Sequence, residues 1–297
     1  MRRHDEADRD LEILESHETD VLSAFEDELP GAAPAESFLA RSLRQYIPAL
    51  VAFVLVLVLW ESVTRFFEVK SFILPRPSAI FQSLIDEFST IVPAARRTLL
   101  EALGGFFLGG SLGILLALAT VRWSAMRDGF LPFAVAANSV PIIALAPISN
   151  AMFGLTSLTS KVVVVAVVVF FPVMINTARG LIEVDAAEIE LMRSFASSPR
   201  SLLWKVRIPS ALPYLFSALK VASALSLIAA IVSEYFGGPS AVLGIYILNK
   251  SQQLNLTDAW AGIVVASVIG IVFYGVILVV ERLVMPWHVS FRALEDR

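Results

Sequence analysis

The chain has 297 residues, of which 57% are hydrophobic and only 17% charged, and its mean hydropathy is +0.73. Soluble domains are about half apolar and a quarter charged, so this composition excludes an ordinary soluble domain and predicts a membrane protein. The sequence has no cysteine, which excludes disulfides, thiolate nucleophiles and cysteine-ligated metal sites. The net charge of −4 comes from residues 1–40, where Asp and Glu greatly outnumber Arg.

Residues 1–40 form an acidic extension, which we expect in the cytoplasm. Apolar residues recur at roughly helical spacing from Leu11 to Leu29, so the segment is either an amphipathic helix or a partly disordered tail. The Pro- and Gly-containing stretch from Pro30 to Glu36 is typical of a linker. A secretory signal begins with a positively charged segment, so this acidic start predicts none.

Six apolar stretches follow, each long enough to cross a membrane, since about 20 apolar residues span roughly 30 Å of hydrocarbon. The predicted spans cover residues 45–67, 102–121, 131–154, 162–178, 212–236 and 259–280. An even number of spans places both termini on one side. The segments that would then lie inside (41–45, 122–128, 179–207 and 282–297) carry more Lys and Arg than the outer segments. This bias favours cytoplasmic termini.

The second predicted span carries Gly105, Gly109 and Gly113 at strict four-residue spacing. Small residues at this spacing let two helices approach closely in lipid, so we expect helix packing within the bundle, or else contact between two copies. The same stretch matches the serine-hydrolase pattern Gly-x-Ser-x-Gly around Ser111. That motif needs a strand-turn-helix elbow and a nearby base, whereas every histidine of the chain lies outside the predicted spans. We therefore predict no catalytic site, no metal site and no cofactor.

Polar residues within apolar segments are functional candidates. The ionisable ones are Glu61, Glu101, Lys161, Lys220 and Glu234, most of which can lie near a membrane interface. The uncharged ones are candidates for a translocation path, with contact between helices as the alternative: Asn138, Asn150, Asn176, Ser223 and Ser226. Glu234 and Tyr235, at the outer end of the fifth predicted span, are a possible outer gate.

A polar segment of about thirty residues, 179–207, separates the fourth and fifth predicted spans. Within it, residues 184–195 have a helical pattern in which Ile189, Met192 and Phe195 could form an apolar surface. Such a helix either docks a partner or lies on the membrane surface. The chain lacks the phosphate-binding loop of ATPases, so ATP-driven transport would need hydrolysis on another polypeptide.

The spacing of this segment resembles the signature loop of ABC-importer permeases, Glu-Ala-Ala-x3-Gly-x9-Ile-x-Leu-Pro. Glu190, Val206, Ile208 and Pro209 fall in register, whereas Leu191-Met192 replace Ala-Ala and Ala196 replaces the glycine. Other family-like segments occur in the expected order: Leu74-Pro75-x-Pro77-Ser78, Pro141 to Pro147, Phe171-Pro172-Val173, Pro209 to Pro213 and Ser233 to Gly238. Residues 72–285 thus resemble the permease domain of importers for nitrate, taurine, aliphatic sulfonates and thiamine-precursor pyrimidines.

The resemblance implies an all-α, six-helix bundle of the type I ABC-importer kind, in the bacterial inner membrane. The first transmembrane helix and its outer connection would be residues 41–71, the permease domain 72–285, and a cytoplasmic tail 286–297. The implied partners are two ABC ATPase subunits, an extracytoplasmic solute-binding protein and a second permease, normally a copy of the same chain. The implied cargo is a small organic solute of the nitrate, sulfonate, taurine, thiamine-precursor or another vitamin-like class.

The resemblance also implies which residues contact the ATPase, in a coupling loop spanning 179–209: Glu188, Glu190, Met192, Phe195, Ala196, Ile208 and Pro209. Because alanine resists the left-handed conformation that glycine adopts, we expect the loop helix to continue past Ala196. The alternative function is a stand-alone secondary transporter or channel that follows an ion gradient and depends on Glu101 or Glu234. A membrane-embedded enzyme is disfavoured, because the spans lack histidine and a clear carboxylate pair.

Overall fold

The computed structural model describes residues 38–123, 125–137 and 141–287, and the regular secondary structure within them is helical. The helices are α1 (Phe38–Phe66), α2 (Pro77–Asp86), α3 (Phe88–Arg122), α4 (Leu131–Ala137), α5 (Ile142–Phe153), α6 (Leu158–Ile182), α7 (Ala186–Ser194), α8 (Pro199–Leu202), α9 (Ile208–Tyr235), α10 (Leu243–Gln252) and α11 (Leu256–Val284). Two π-helical turns, Met126–Phe130 and Leu203–Arg207, precede α4 and α9.

The chain divides into two compact units, residues 1–59 and 60–297. In the first unit the described part is the start of α1, where Ile47 opens an apolar stretch whose side chains are largely exposed. Residues 1–37, on which the predicted acidic extension mostly falls, lie outside the described residues. The second unit contains the rest of the helices and the hydrophobic core.

Five described helical segments are long and apolar enough to cross a membrane, and each overlaps one of the predicted spans: Ile47–Phe66, Phe88–Arg122, Leu158–Ile182, Pro199–Tyr235 and Leu256–Val284. The prediction of one further spanning helix near 131–154 is corrected to two shorter helices, α4 and α5, which occupy that stretch. Pro141 precedes α5 in an extended conformation and Gly154, at φ 97°, ends it. A proline cannot continue a helix from the preceding turn, which explains why α5 starts anew there.

The core of the second unit lies around α6, which packs against α3 on one side and α9 on the other. Three of its valines, Val165, Val169 and Val173, are fully buried at these contacts. Valine is a modest helix former in water, but in lipid every backbone group must be hydrogen-bonded internally, so a valine-rich span becomes helical. Helix α11 packs against α9 and α3 and against the short helices α2 and α10.

Gly105, Gly109 and Gly113 of α3 lie against the backbone of α6. A Cβ on Gly109 would overlap the Ala166 carbonyl oxygen, and a Cβ on Gly113 would lie 2.9 Å from the Phe170 carbonyl oxygen. Gly105 is likewise in direct contact with Val165. The three glycines thus lie on one face of α3 and let its backbone approach that of α6.

Polar contacts join the short helices to the bundle. Asp258, at the start of α11, accepts hydrogen bonds from Ser83 of α2 (2.7 Å) and Lys250 of α10 (2.6 Å). Lys250 also pairs with Glu87 at 3.1 Å. Burial alone would lower the pKa of Lys250, but the hydrogen bonds and charges of Asp258 and Glu87 together raise it above its ordinary value. The cluster therefore holds a lysine that stays charged and ties α2, α10 and α11 together.

Lys220 lies within α9 and pairs with Glu281 of α11, at 2.9 Å between its Nζ and the carboxylate. Sequence alone left open whether this lysine reaches the membrane surface or finds a partner in the bundle. The partner is found 61 residues along the chain, and the ion pair links the two helices.

Candidate functional site

The polar segment between α6 and α9 folds as α7, α8 and a π-helical turn. Asp185 caps α7, its carboxylate accepting a hydrogen bond from the Ala187 amide at 2.9 Å. Ser198 caps α8 in the same way, accepting from the Ser201 amide at 3.2 Å, and Pro199 occupies the first turn. Side-chain caps satisfy the free amides at a helix start, so these two helices are specified by their own local sequence.

Helix α7 buries none of its side chains. Glu188 and Glu190 are exposed, and Leu191 and Phe195, one turn apart, are 58% and 72% exposed. Ile189 and Met192 are half-buried. The apolar surface that faces outward is therefore formed by Leu191 and Phe195, rather than by the predicted set of Ile189, Met192 and Phe195.

Trp204, in the π-helical turn after α8, adds a third exposed apolar side chain to this segment, at 62% exposure. The sequence reasoning missed both Leu191 and Trp204. A helical-wheel test over 184–195 could have found Leu191, because it lies four residues before Phe195. Exposed aromatic and aliphatic groups on an otherwise polar segment make it a candidate surface for a partner.

Helix α7 ends at Ser194, so the expectation that it continues past Ala196 is wrong. Ala196 adopts a left-handed conformation, with φ 49°. The Ser197 amide donates to the Met192 carbonyl at 3.1 Å, the six-to-one hydrogen bond of a Schellman turn. The extended Ser198, held so by the following proline, prevents the helix from continuing.

Replacing Ala196 with glycine is expected to stabilise the end of α7. The left-handed conformation costs an L-residue about 1–2 kcal/mol and costs glycine almost nothing, so we expect a gain of about 1 kcal/mol. Amide hydrogen exchange in α7 should slow by about fivefold. In the matched control Ala187→Gly, where the residue is helical, exchange should become faster. Unchanged or faster exchange in Ala196→Gly would contradict the proposed backbone strain at Ala196.

Both ends of the segment are anchored on the bundle. Ile208 and Pro209, half-buried, start α9, and the Arg207 guanidinium donates to the Leu181 carbonyl of α6 at 3.5 Å. Gly180 of α6 lies so close to Ala211 of α9 that a Cβ would come within 2.8 Å of its Cα. A force on α7 would thus act directly on two core helices.

A second polar feature lies at the opposite ends of the same helices, and we call it the outer network after the orientation proposed below. It consists of Thr98, Glu101, Asn150, Ser160, Lys161 and Glu234. Glu234 of α9 is fully buried, and its Oε1 accepts from the Thr98 hydroxyl at 2.7 Å. Its Oε2 accepts from the Gly244 amide at 2.6 Å, in the first turn of α10. Because α10 lacks a side-chain cap of its own, Glu234 caps it from a neighbouring helix.

Asn150 connects the remaining members of the outer network. Its Oδ1 accepts from the Ser160 hydroxyl at 2.7 Å and from the Lys161 ammonium at 2.6 Å. Its Nδ2 donates to the Phe236 carbonyl at 3.1 Å, next to the end of α9. Asn150 therefore joins α5, α6 and the end of α9. With the contacts of Glu234 to α3 and α10, the outer network ties five helices together.

The other predicted path residues make local hydrogen bonds. Asn176 donates to the Pro172 carbonyl at 2.8 Å, Ser223 to the Lys220 carbonyl at 2.7 Å and Ser226 to the Ser223 carbonyl at 2.8 Å. These bonds run along single helices and join no two elements. Asn138 lies outside the described residues. The two residues predicted as a possible outer gate differ in their surroundings, because Glu234 is fully buried while Tyr235 is 39% exposed.

Residues 109–286 match the family model described as the binding-protein-dependent transport system inner membrane component. That match covers more than half of the chain. The chain belongs to this family. It is the membrane permease subunit of an ABC importer, as the resemblance in the signature loop predicted.

Curated relatives of the permease are named for the transport of different solutes. It is 32% identical over 252 residues to the formylaminopyrimidine transport permease protein ThiX of Halalkalibacterium halodurans, covering 84% of this chain and 98% of that one. It is 30% identical over 258 residues to the riboflavin transport system permease protein RibX of Chloroflexus aurantiacus, covering 84% and 95%. These alignments extend over nearly the whole length of the relatives.

The fold is similar to that of a chain in a solved structure of the MetNI methionine ABC transporter in inward-facing conformations, with a TM-score of 0.51. That likeness covers 66% of this chain and 95% of the other at 18% identity. It confirms the predicted all-α bundle of the type I importer kind. None of these comparisons supports a stand-alone secondary transporter or channel.

Proposed function

We propose that the permease is driven by a separate ATP-hydrolysing subunit that docks on α7. The observation that supports this most strongly is the exposed pair formed by Leu191, on a capped helix that buries no side chain of its own, and Phe195, directly after its last residue. The half-buried Ile208 and Pro209 begin the helix through which movement of the loop would reach the core. ATP binding and hydrolysis would then alternately favour two arrangements of the bundle, according to the affinity of the ATPase for each.

The orientation that this proposal requires places α7 and both termini in the cytoplasm. Five Lys and Arg residues between Arg179 and Arg207 support it, because positive charge accumulates in cytoplasmic loops. The outer network and the cluster around Asp258 would then face the outside, where an extracytoplasmic binding protein delivers solute. Two copies of the permease, each with one ATPase, form the proposed assembly.

The proposed cargo is a small organic solute of the vitamin-precursor kind. The support comes from the relatives named for formylaminopyrimidine and riboflavin, each at least 30% identical, compared with 23% for one named for taurine. Labelled formylaminopyrimidine and taurine, each supplied with its own binding protein, would be compared in uptake. Preferential uptake of taurine would contradict this choice of cargo without affecting the proposed coupling.

Replacing Glu190 with arginine is expected to uncouple ATP hydrolysis from uptake. Glu190 is exposed on α7 and is matched in register to the signature glutamate, so charge reversal should break docking while leaving the fold intact. In vesicles containing the permease, its ATPase and its binding protein, we expect ATP-driven uptake to fall at least tenfold with an unchanged melting temperature. The control Glu183→Arg reverses an exposed charge just before α7. Unchanged uptake in Glu190→Arg, or uptake that follows an ion gradient without the ATPase, would contradict the proposal.

A further inference from the structure

Two consecutive arginines, Arg96 and Arg97, lie exposed near the start of α3. Neither guanidinium group forms an ion pair or a hydrogen bond with another side chain in the described part of the chain. By contrast, Arg65 pairs with Glu61, and Lys250 pairs with two carboxylates. Because arginine stays charged at every physiological pH, α3 carries two adjacent positive charges here that no described carboxylate pairs with.

The position of the two arginines along α3 places them at the height of lipid headgroups. Arg97 lies twenty-five residues before Arg122, the last residue of the helix. At 1.5 Å per residue, this separation is about 38 Å. The hydrocarbon core of a bilayer is about 30 Å thick, and the bilayer with its headgroups about 40–45 Å. With Arg122 in one headgroup layer, Arg96 and Arg97 therefore reach the other, in the leaflet beside α2 and α10.

Between the two headgroup layers, the exposed side of α3 is lined by large apolar residues. Leu100, one turn after Arg96, is 53% exposed. Four more large apolar side chains are exposed further along the same side of the helix: Phe107, Leu108, Leu112 and Leu115. The only charged residue between Arg97 and Arg122 is Glu101, which is buried. This side of α3 thus has the same division as a phospholipid, with charge at one end and apolar groups along its length.

Both arginines also line a depression of about 450 Å³ on the surface of the protein. Val92, Pro93 and Leu100 form the rest of its described lining. The depression therefore offers hydrogen-bond donors with positive charge and an apolar wall in one place.

We propose that Arg96 and Arg97 bind the phosphate group of an anionic phospholipid, whose acyl chains lie along the exposed apolar side of α3. A guanidinium group presents paired N–H donors in a planar fork that matches two phosphate oxygens. Two such groups favour a lipid with net negative charge, because they would repel the cationic headgroup of a zwitterionic lipid. A free phosphate ion would satisfy the charges but leave the apolar side chains uncovered, so a lipid fits the site better.

The bound lipid would hold the start of α3 at the membrane surface, next to the outer network. Thr98, which follows Arg97 directly, is fully buried and hydrogen-bonded to Glu234 at 2.7 Å. A ligand that binds the folded chain and not the unfolded one stabilises the fold by mass action. The site therefore makes the stability of the permease depend on the lipids around it, independently of the ATPase and of the solute.

Lipid retention by the purified full chain tests the binding. Wild type and variants would be reconstituted in vesicles of equal parts phosphatidylglycerol and phosphatidylcholine and extracted with mild detergent, and the bound lipids quantified by mass spectrometry. We expect the wild type to retain a several-fold excess of phosphatidylglycerol, and Arg96→Gln, Arg97→Gln to retain the two lipids nearly equally. The control Lys70→Gln, Arg76→Gln removes two exposed positive charges from the connection before α3 and should keep the excess. An undiminished excess in the Arg96, Arg97 variant, or an equal loss in the control, overturns the proposal.

Competition and melting separate a lipid from other anionic partners. Inorganic phosphate should displace no more phosphatidylglycerol from the wild type than sodium chloride of the same ionic strength, and selective displacement overturns the lipid assignment. Added phosphatidylglycerol should raise the melting temperature of the wild type in detergent but not that of Arg96→Gln, Arg97→Gln, with equal melting temperatures before its addition. An equal rise in both overturns the site. If the variant then also fails to capture the binding protein, the arginines belong to a protein contact instead.

Discussion

Gly109→Ala is expected to prevent stable folding of the permease, although it adds only one methyl group. The Cβ would overlap the Ala166 carbonyl oxygen, and a backbone atom in a core helix cannot move aside as a flexible side chain can. Separation of α3 from α6 would then open the most extensive helix contact in the core. We expect a loss of about 3 kcal/mol or more, measured as a lower melting temperature and a lower yield of monodisperse protein.

The control for this substitution is its neighbour on the same helix. A Cβ on Gly110 meets nothing within 4 Å, so Gly110→Ala should leave stability unchanged or slightly improved. The two variants have the same change in composition and helix propensity and differ in what the methyl group meets. Equal stability of Gly109→Ala and Gly110→Ala would contradict backbone contact between α3 and α6.

The double variant Leu191→Asp, Phe195→Asp is expected to abolish ATP-driven uptake while leaving the permease folded. Both side chains are exposed, so their replacement removes no contact from the core. In the proposed complex they would be buried against the ATPase, and losing two apolar anchors costs about 3 kcal/mol, which corresponds to roughly a 100-fold loss of affinity. Uptake into vesicles should fall by a similar factor at limiting ATPase concentration, with the melting temperature unchanged.

A loss of uptake accompanied by a lower melting temperature would instead assign these residues a structural role. Retained uptake would mean that the ATPase docks elsewhere. Phe81→Asp, Ile85→Asp provides a matched pair for the stability measurement, because these apolar residues are also exposed and one turn apart on a short helix.

The features that the sequence predicted correctly are those that depend on neighbouring residues. The long apolar helices follow from runs of apolar residues, and the polar segment after α6 stands out between two of them. The end of α7 was mispredicted, because alanine has a weak preference against the left-handed conformation and the Schellman turn, with Pro199 after it, outweighs that preference. Local preferences of about 1 kcal/mol are easily overridden by the chain on either side.

The outer network could not be predicted, because its members lie far apart in the sequence. Thr98 and Glu234 are 136 residues apart, and their hydrogen bond exists because α3 and α9 both pack on α6. Each polar residue, taken singly, is equally compatible with a membrane interface, a helix contact or a solute path. The single continuous helix predicted over 131–154 was wrong for a related reason, since a hydropathy count does not register the restart of the helix after Pro141.

Co-purification of the ATPase with the permease tests most directly the claim that α7 is the docking surface. The tagged wild type and the Leu191→Asp, Phe195→Asp variant would be extracted gently from membranes that also contain the ATPase, and its recovery per permease quantified by mass spectrometry. We predict recovery with the wild type and with the Phe81→Asp, Ile85→Asp control, and near-complete loss with the α7 variant. Equal recovery of the ATPase with the wild type and the α7 variant would contradict the account.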